Sequence, residues 1–415
     1  MKTNLLLIAG LTFLIARTGY FGAAEDGIEH NAPSPESAYN NQRYVGQTDA
    51  ARQRNAALLG EYDYSKYVTA LTGYTGLDRQ RVAVVDYQNA VRTRVGRRGN
   101  YKAGLARQSD GTLLTAVCRR NTATGLFFIL VYESKDEGLT WHEIGQSRLF
   151  GKEPSLAALP NGTIVLVAQD QDPANLGKEP VKPVSRSVDG GRTWETSTMS
   201  GPSYPRNLFV EEDGSLLMIR ALRSGWSFPN DGSPNLMLCR SKDGAKTWET
   251  SEGIVDWDQT EFDEVAVIRL RDDRLLAALR RQIPGTDGEG FEDTVLTEST
   301  DDGKHWCRPW RFGNTAEVQV YLTELRDGRI LATYSNYHLP WGVCAVISRD
   351  SGRTWDLNRP VQLALSAEYY VGWAVTLQLP DDSLITSYAA TTYLKQPPET
   401  TTCEIVRWNL PSDPN

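Results

Sequence analysis

The chain has 415 residues and a net charge of −8, from 44 Lys and Arg against 52 Asp and Glu, with the basic residues scattered along it. That balance disfavours nucleic acid or an anionic membrane surface as a partner. The length is too great for one small domain, and it suits either two or three domains or one large repeat unit.

The chain opens with one lysine ahead of an apolar run from Leu5 to Ala16, and Gly22 and Ala24 precede Glu25. This pattern predicts a secretory signal peptide, residues 1–24, cut after Ala24. The run is shorter than the roughly 20 residues of a membrane span, and no later stretch serves as one. A secreted or periplasmic monomer with no membrane span is the expectation. Residues 25–79 begin polar and irregular (HNAPSPES), and a helical piece is expected near ARQRNAALLGEY. They read as an N-terminal extension packed on the main body, residues 80–415.

From residue 101 onward one pattern recurs. Six stretches place an apolar strand, an Asp-Gly-type turn and a second apolar strand in line: KAGLARQSDGTLLTAVCRR, EPSLAALPNGTIVLVAQDQ, PRNLFVEEDGSLLMIRALR, EVAVIRLRDDRLLAALRRQ, QVYLTELRDGRILATYSNY and WAVTLQLPDDSLITSYAAT. Such runs read as hairpins. A third strand then leads into a repeated phrase, seen as SKDEGLTWHE, SVDGGRTWET, SKDGAKTWET, STDDGKHWCR and SRDSGRTWDL from Ser134, Ser187, Ser241, Ser299 and Ser348. The spacings are 53, 54, 58 and 49 residues, so the chain is a repeat array. Six four-stranded units of this kind predict an all-β, six-bladed β-propeller, whose radial closure hides strand edges. The sixth unit lacks the phrase and keeps only Trp408. RQRVAVVDYQNAV (80–92) is expected to supply its outer strand by joining the two ends of the chain.

Within the phrase, Asp suits side-chain bonds to its own turn. Gly suits a positive φ, although Ala245 takes that place in the third copy, and Trp suits packing between blades. The phrase resembles the Asp-box, or BNR repeat, of the sialidase superfamily, and the resemblance spans roughly residues 80 to 410 with five Asp-boxes. It implies a sialidase-like propeller with the Asp-boxes on one face and the ligand site on the other, around the central axis. This fold hosts sialidases, exo-arabinanases, polysaccharide lyases and non-catalytic binders.

The repeat itself locates candidates on that second face. Eight residues back from each hairpin Asp or Asn stand Lys102, Glu153, Pro205 (flanked by Tyr204 and Arg206), Glu264, Gln319 and Trp373. These equivalent positions are expected to ring one mouth of the channel. Glu153 and Glu264 form the candidate catalytic pair, because glycoside hydrolysis needs two carboxyl groups flanking the scissile bond. The ends of the second strands add Arg119, Asp170, Arg220, Arg280, Arg281, Tyr334 and Tyr388. Arginines grouped there suit an acidic sugar, though each alone reads equally as an ion-pair residue. Tyr337, Trp341, Tyr369, Tyr370 and Trp373 suit either stacking on a sugar or plain packing.

The chain departs from the sialidase pattern in three places. YKAG stands where that pattern has Arg-Ile-Pro, RRNTATG carries no acid, and Trp373 holds the register position near the tyrosine nucleophile. The pair of glutamates looks more like the exo-arabinanase branch. Four histidines stand far apart and no CxxC occurs, so neither a metal site, a cofactor nor a Ser-His-Asp triad is expected. The five cysteines leave at least one unpaired. The leading expectation is an exo-acting glycoside hydrolase that uses Glu264 and Glu153. Lys102, Arg119, Asp170, Arg206, Arg220, Arg281, Gln319, Tyr337, Tyr370 and Trp373 are its expected substrate-binding residues. The alternatives are a carbohydrate-binding propeller without catalysis and a polysaccharide lyase using Lys102, Tyr370 and Arg206.

Overall fold

The computed structural model describes residues 90–410 except 98, 122–123, 125, 170–180, 201–206, 222–235, 255–261, 283–291, 314–316, 338–341, 358–359, 366–370 and 392–400. The expected signal peptide, extension and helical piece lie outside the described residues. The described strands form six four-stranded antiparallel sheets. Blade 1 is β2 (Asn100–Arg107), β3 (Leu113–Arg120), β4 (Phe127–Ser134) and β5 (His142–Phe150). Blade 2 is β6 (Lys152–Ala158), β7 (Ile164–Gln169), β8 (Val181–Ser187) and β9 (Glu195–Ser200). Blade 3 is β10 (Phe209–Val210), β11 (Leu216–Ala221), β12 (Leu236–Ser241) and β13 (Glu249–Ile254). Blade 4 is β14 (Phe262–Arg269), β15 (Leu275–Gln282), β16 (Glu292–Ser299) and β17 (Trp310–Arg311). Blade 5 is β18 (Glu317–Glu324), β19 (Ile330–Asn336), β20 (Gly342–Ser348) and β21 (Val361–Leu365).

Blade 6 takes three strands from the C-terminal end, β22 (Gly372–Gln378), β23 (Leu384–Thr391) and β24 (Thr401–Trp408), and its outer strand from β1 (Val91–Arg94). Val91 pairs Arg407 and Arg94 pairs Glu404. The ends of the array are thus joined as expected: β1 takes in residues 91–92 of the expected stretch and runs on to Arg94. The part of that stretch before residue 90 lies outside the described residues.

A strand buried on one face alternates apolar and polar residues; a propeller strand is covered on both. Hence β3 reads LLTAVCRR with only its last residue half-buried. Its neighbouring residues serve opposite seams: Leu113 and Val117 pack toward blade 6, Leu114 and Ala116 toward blade 2. Six such apolar clusters fill the six seams between blades.

The repeated phrase forms one turn in all five copies. In the first, Ser134 Oγ donates to Asp136 Oδ1 and accepts the Gly138 N–H, while Asp136 receives the Thr140 N–H and hydroxyl. The same set recurs at Asp189, Asp243 and Asp350, and at Asp301 with His305 in place of the threonine. The turn needs left-handed backbone where Gly138 stands (φ 89°), and Ala245 adopts it with φ 66°. Each turn sends its tryptophan into a seam. Trp141, Trp194, Trp248, Trp306 and Trp355 pack against five clusters, and Trp408 fills the sixth.

These turns and the hairpin turns lie at one end of the blades. The starts of the innermost strands lie at the other, where connections are longer: 14 residues separate Ala221 from Leu236. Long connections on a rigid scaffold are where propellers and barrels carry their sites.

Candidate functional site at the channel mouth

The innermost strands share one irregularity. The β2–β3 register shifts between Tyr101 and Gly104, and matching bulges occur between Lys152 and Ser155, Asp263 and Ala266, Val318 and Tyr321, and Gly372 and Val375. At each bulge one non-glycine residue takes left-handed backbone: Lys102 (φ 52°), Glu153 (57°), Glu264 (43°), Gln319 (58°) and Trp373 (50°). These are five of the six positions that the repeat spacing singled out. The sixth, Pro205, lies outside the described residues, as do Asp170, Arg206, Trp341, Tyr369 and Tyr370. A bulge re-aims a side chain out of the ladder. Repeated around the axis, it turns five side chains onto one another.

Their contacts cross the channel. Lys102 Nζ pairs with Glu153 Oε1 between blades 1 and 2. The same ammonium lies 4.1 Å from the centroid of the Trp373 ring in blade 6. Trp373 Nε1 donates to Glu264 Oε1 in blade 4 at 2.8 Å. Gln319 Oε1 accepts from the Ser335 hydroxyl and from the Trp373 N–H, and its amide donates to Tyr337 OH at 3.1 Å. All five ring residues are at most 6% exposed. The space lined by Lys102, Glu153, Gln319, Trp373 and Tyr321 is only ≈ 20 Å³, about room for one water. Among the described residues, the ring leaves little free space in the channel beneath it.

Three further residues complete the arrangement, and sequence spacing did not single out their roles. Arg280, on β15, donates to Glu264 Oε2 at 2.7 Å and also pairs with Glu292 at the start of β16. Glu264 is thereby held by a donor at each carboxylate oxygen. Lys152, one residue before Glu153, is buried with its ammonium 5.4 Å from the Phe127 ring centroid. Burial lowers its pKa, opposed by the charges of Glu153 and Glu264. The signal for Arg280 was available in the hairpin register, which sets it directly across from Asp263, one residue from Glu264.

The expected arginines divide differently. Arg281 grips Asp293 through Nε and Nη2 at 2.8 and 2.6 Å, a pair set by direct cross-strand register. Arg119 is buried opposite Asn100, the first residue of β2, and within electrostatic reach of Tyr132, at the ring end of blade 1. Arg220 is half-buried opposite Met237 and acts on Cys239, inside blade 3. Tyr334 and Tyr388 are core residues, the first edge-on to Phe312 and the second donating to Glu404 at 2.9 Å. Trp373 offers no open face for stacking, because its ring is 4% exposed and covered by Lys102.

The opposite mouth is a wide funnel of ≈ 1100 Å³. Four of its charged residues form one network: Arg240 and Arg269 share Glu211 and Asp302.

No family model and no curated protein matches the sequence. Solved structures do match its fold. A protein of unknown function from Dyadobacter fermentans DSM 18053 aligns with a TM-score of 0.60 at 19% identity, over 77% of this chain and 98% of that one. The α-L-arabinofuranosidase Arb93A from Fusarium graminearum, solved with an iminosugar inhibitor, aligns with a TM-score of 0.55 at 18% identity, over 74% and 93%. The NanB sialidase from Streptococcus pneumoniae aligns with a TM-score of 0.55 at 11% identity, over 77% and 70%. The fold is thus the sialidase-like six-bladed propeller, shared with glycoside hydrolases of more than one specificity.

Proposed function

We propose that this propeller is an exported, exo-acting glycoside hydrolase whose reaction takes place on the ring at the channel mouth. The observation that carries the reading is the shared bulge. Left-handed backbone costs a non-glycine residue about 1–2 kcal/mol, so five such residues cost roughly 5–10 kcal/mol, as much as a typical domain's net stability. Glycine would remove that cost at every position. Instead each position holds a large side chain, and two of these are glutamates. Strain of this kind gathers at functional sites.

The chemistry follows from the contacts. Glu264 accepts from the indole N–H and from the Arg280 guanidinium, and only its ionised form accepts at both oxygens. It is the carboxylate that faces the positive charge developing on the sugar ring, as nucleophile or as base to water. Glu153, on the other side of the Lys102–Trp373 contact, is the second carboxyl group; ionised beside the Lys102 ammonium, it relays a proton from that ammonium to the leaving oxygen. Lys102, between Glu153 and the indole, fixes the acid's position, and Gln319 fixes Trp373 through its backbone N–H. Seating a terminal sugar on the ring at the channel mouth gives exo action. Hydrolase neighbours of two specificities support the reaction class and leave the sugar open.

The test is release of an aryl leaving group from terminal arabinofuranosyl, sialyl and uronyl glycosides. Glu264→Gln and Glu153→Gln run alongside, with thermal unfolding as the check on folding. Removing a catalytic carboxylate from this reaction is expected to cost at least ~100-fold in kcat. Full activity in both variants would end this reading.

One observation favours a second reading. Every ring residue is buried and already bonded to another protein group, as suits a rigid glycan-binding surface without turnover. Glycan binding without release of any leaving group would select it. Of the lyase reading's two candidate bases, the Lys102 ammonium is paired with Glu153 and Tyr370 lies outside the described residues.

A further inference from the structure

The charge of the sugar can be argued from the partners of Arg280. This guanidinium reaches the ring, and both its arms end on carboxylates, Nη1 on Glu264 and Nη2 on Glu292. Glu292 is 1% exposed. It stands two residues from Thr294, the cross-strand partner of Arg280, and therefore on the same face of blade 4. The next arginine along, Arg281, is held by Asp293. Among the described residues, Lys102 is thus paired with Glu153, Arg280 with Glu264 and Glu292, and Arg281 with Asp293.

Recognition of a sugar carboxylate relies on a guanidinium that presents two parallel N–H groups. Arg280 is a guanidinium bonded to the ring, and its second arm is turned toward Glu292. A buried acid placed there also repels an incoming anion, and specificity is commonly built from such a repulsive element.

We propose that Glu292 is a specificity-determining residue that neutralises Arg280 and restricts the mouth to neutral sugars, excluding uronates and sialates. The proposal rests on the ring being the sugar site and goes beyond it by naming the substrate class and the residue that sets it.

The experiment measures binding of L-arabinose and D-glucuronate by calorimetry at pH 7 to the wild-type chain, Glu292→Gln and Glu292→Asp. Hydrolysis of neutral aryl glycosides is followed in parallel. The wild-type chain binds arabinose more tightly than glucuronate. In Glu292→Gln the ratio of glucuronate to arabinose affinity rises by roughly tenfold, the value of one charge-assisted contact. In Glu292→Asp, which keeps the charge, the ratio stays near wild type. A purely structural role for Glu292 would weaken both sugars together and leave the ratio fixed. The proposal is overturned if wild type prefers glucuronate, or if folded Glu292→Gln shows no change in the ratio. Should neutral aryl glycosides be hydrolysed while the ratio stays fixed, only the specificity proposal fails. Binding of neither sugar by any of the three chains would overturn the ring as a sugar site as well.

Discussion

At the scale of single residues, Trp373 is the joint of the site. Its ring sits under Lys102 and its N–H holds Glu264. Trp373→Phe keeps a ring beneath the ammonium and removes the donor. A hydrogen bond to a charged group contributes about 1.5–3 kcal/mol, so kcat is expected to fall by roughly 10- to 100-fold while the unfolding midpoint moves little. An unchanged kcat would show that Glu264 needs no such orienting group. The five ring positions were legible in the sequence because each bulge sits at one fixed distance from its hairpin turn. Arg280 was visible only as one of several arginines, and Glu292 and Lys152 did not stand out. The roles of Glu292 and Lys152 depend on contacts between diagonal residues and between blades, and hairpin spacing carries no information about either.

At the scale of the element, the five repeated turns act as acid-sensitive staples. Burial alone would raise the Asp136 pKa; hydrogen bonds from Thr140 and Ser134 outweigh it and bring the group down to about 2. Asp243 and Asp350 are likewise lowered to about 2. A carboxylate with a depressed folded pKa stabilises the fold above its unfolded pKa, and that contribution is lost as pH falls through the folded value. The unfolding temperature should therefore decline from about pH 4 down to pH 2, and Asp243→Asn should flatten part of that decline. Equal slopes in both chains would contradict the role given to this turn. The glycine of the turn is a second test. A Cβ on Gly303, at φ 84°, would lie 2.4 Å from Leu238 Cδ2. Gly303→Ala should destabilise by about 2 kcal/mol in urea unfolding, from backbone strain and overpacking. The requirement was readable from the phrase, and so was the exception. Ala245 accepts the strained φ and buries its methyl among Leu159, Val184 and Leu216.

At the scale of the whole molecule, the ring of blades is closed by β1, and Arg92 is its clasp. Arg92 donates to the Leu363 carbonyl of blade 5 and to Tyr388 OH, and it acts on buried Glu404. Burial raises the Glu404 pKa, opposed by Tyr388, Thr402, Arg92 and Arg94. Arg92→Met should destabilise by about 3 kcal/mol at pH 7, because it strips a buried acid of a partner. A carboxyl group with a raised folded pKa is best tolerated below its unfolded pKa and loses stability as pH rises toward the folded value. The penalty should accordingly shrink from pH 7 to pH 5, and a penalty independent of pH would remove Glu404 from the explanation. Closure between the chain ends was legible because the sixth unit lacked an outer strand. The reach of β1 to Arg94 was not, since the expected stretch stops at residue 92.

The propeller has two mouths, one ringed by Lys102, Glu153, Glu264, Gln319 and Trp373 and a wide funnel at the other end. The most direct test is the crystal structure of the Glu264→Gln chain soaked with an oligosaccharide bearing a neutral terminal sugar. The terminal sugar is expected on the ring, with its glycosidic oxygen within hydrogen-bond reach of Glu153. A sugar found instead in the funnel beside Arg240 and Arg269 would contradict that placement.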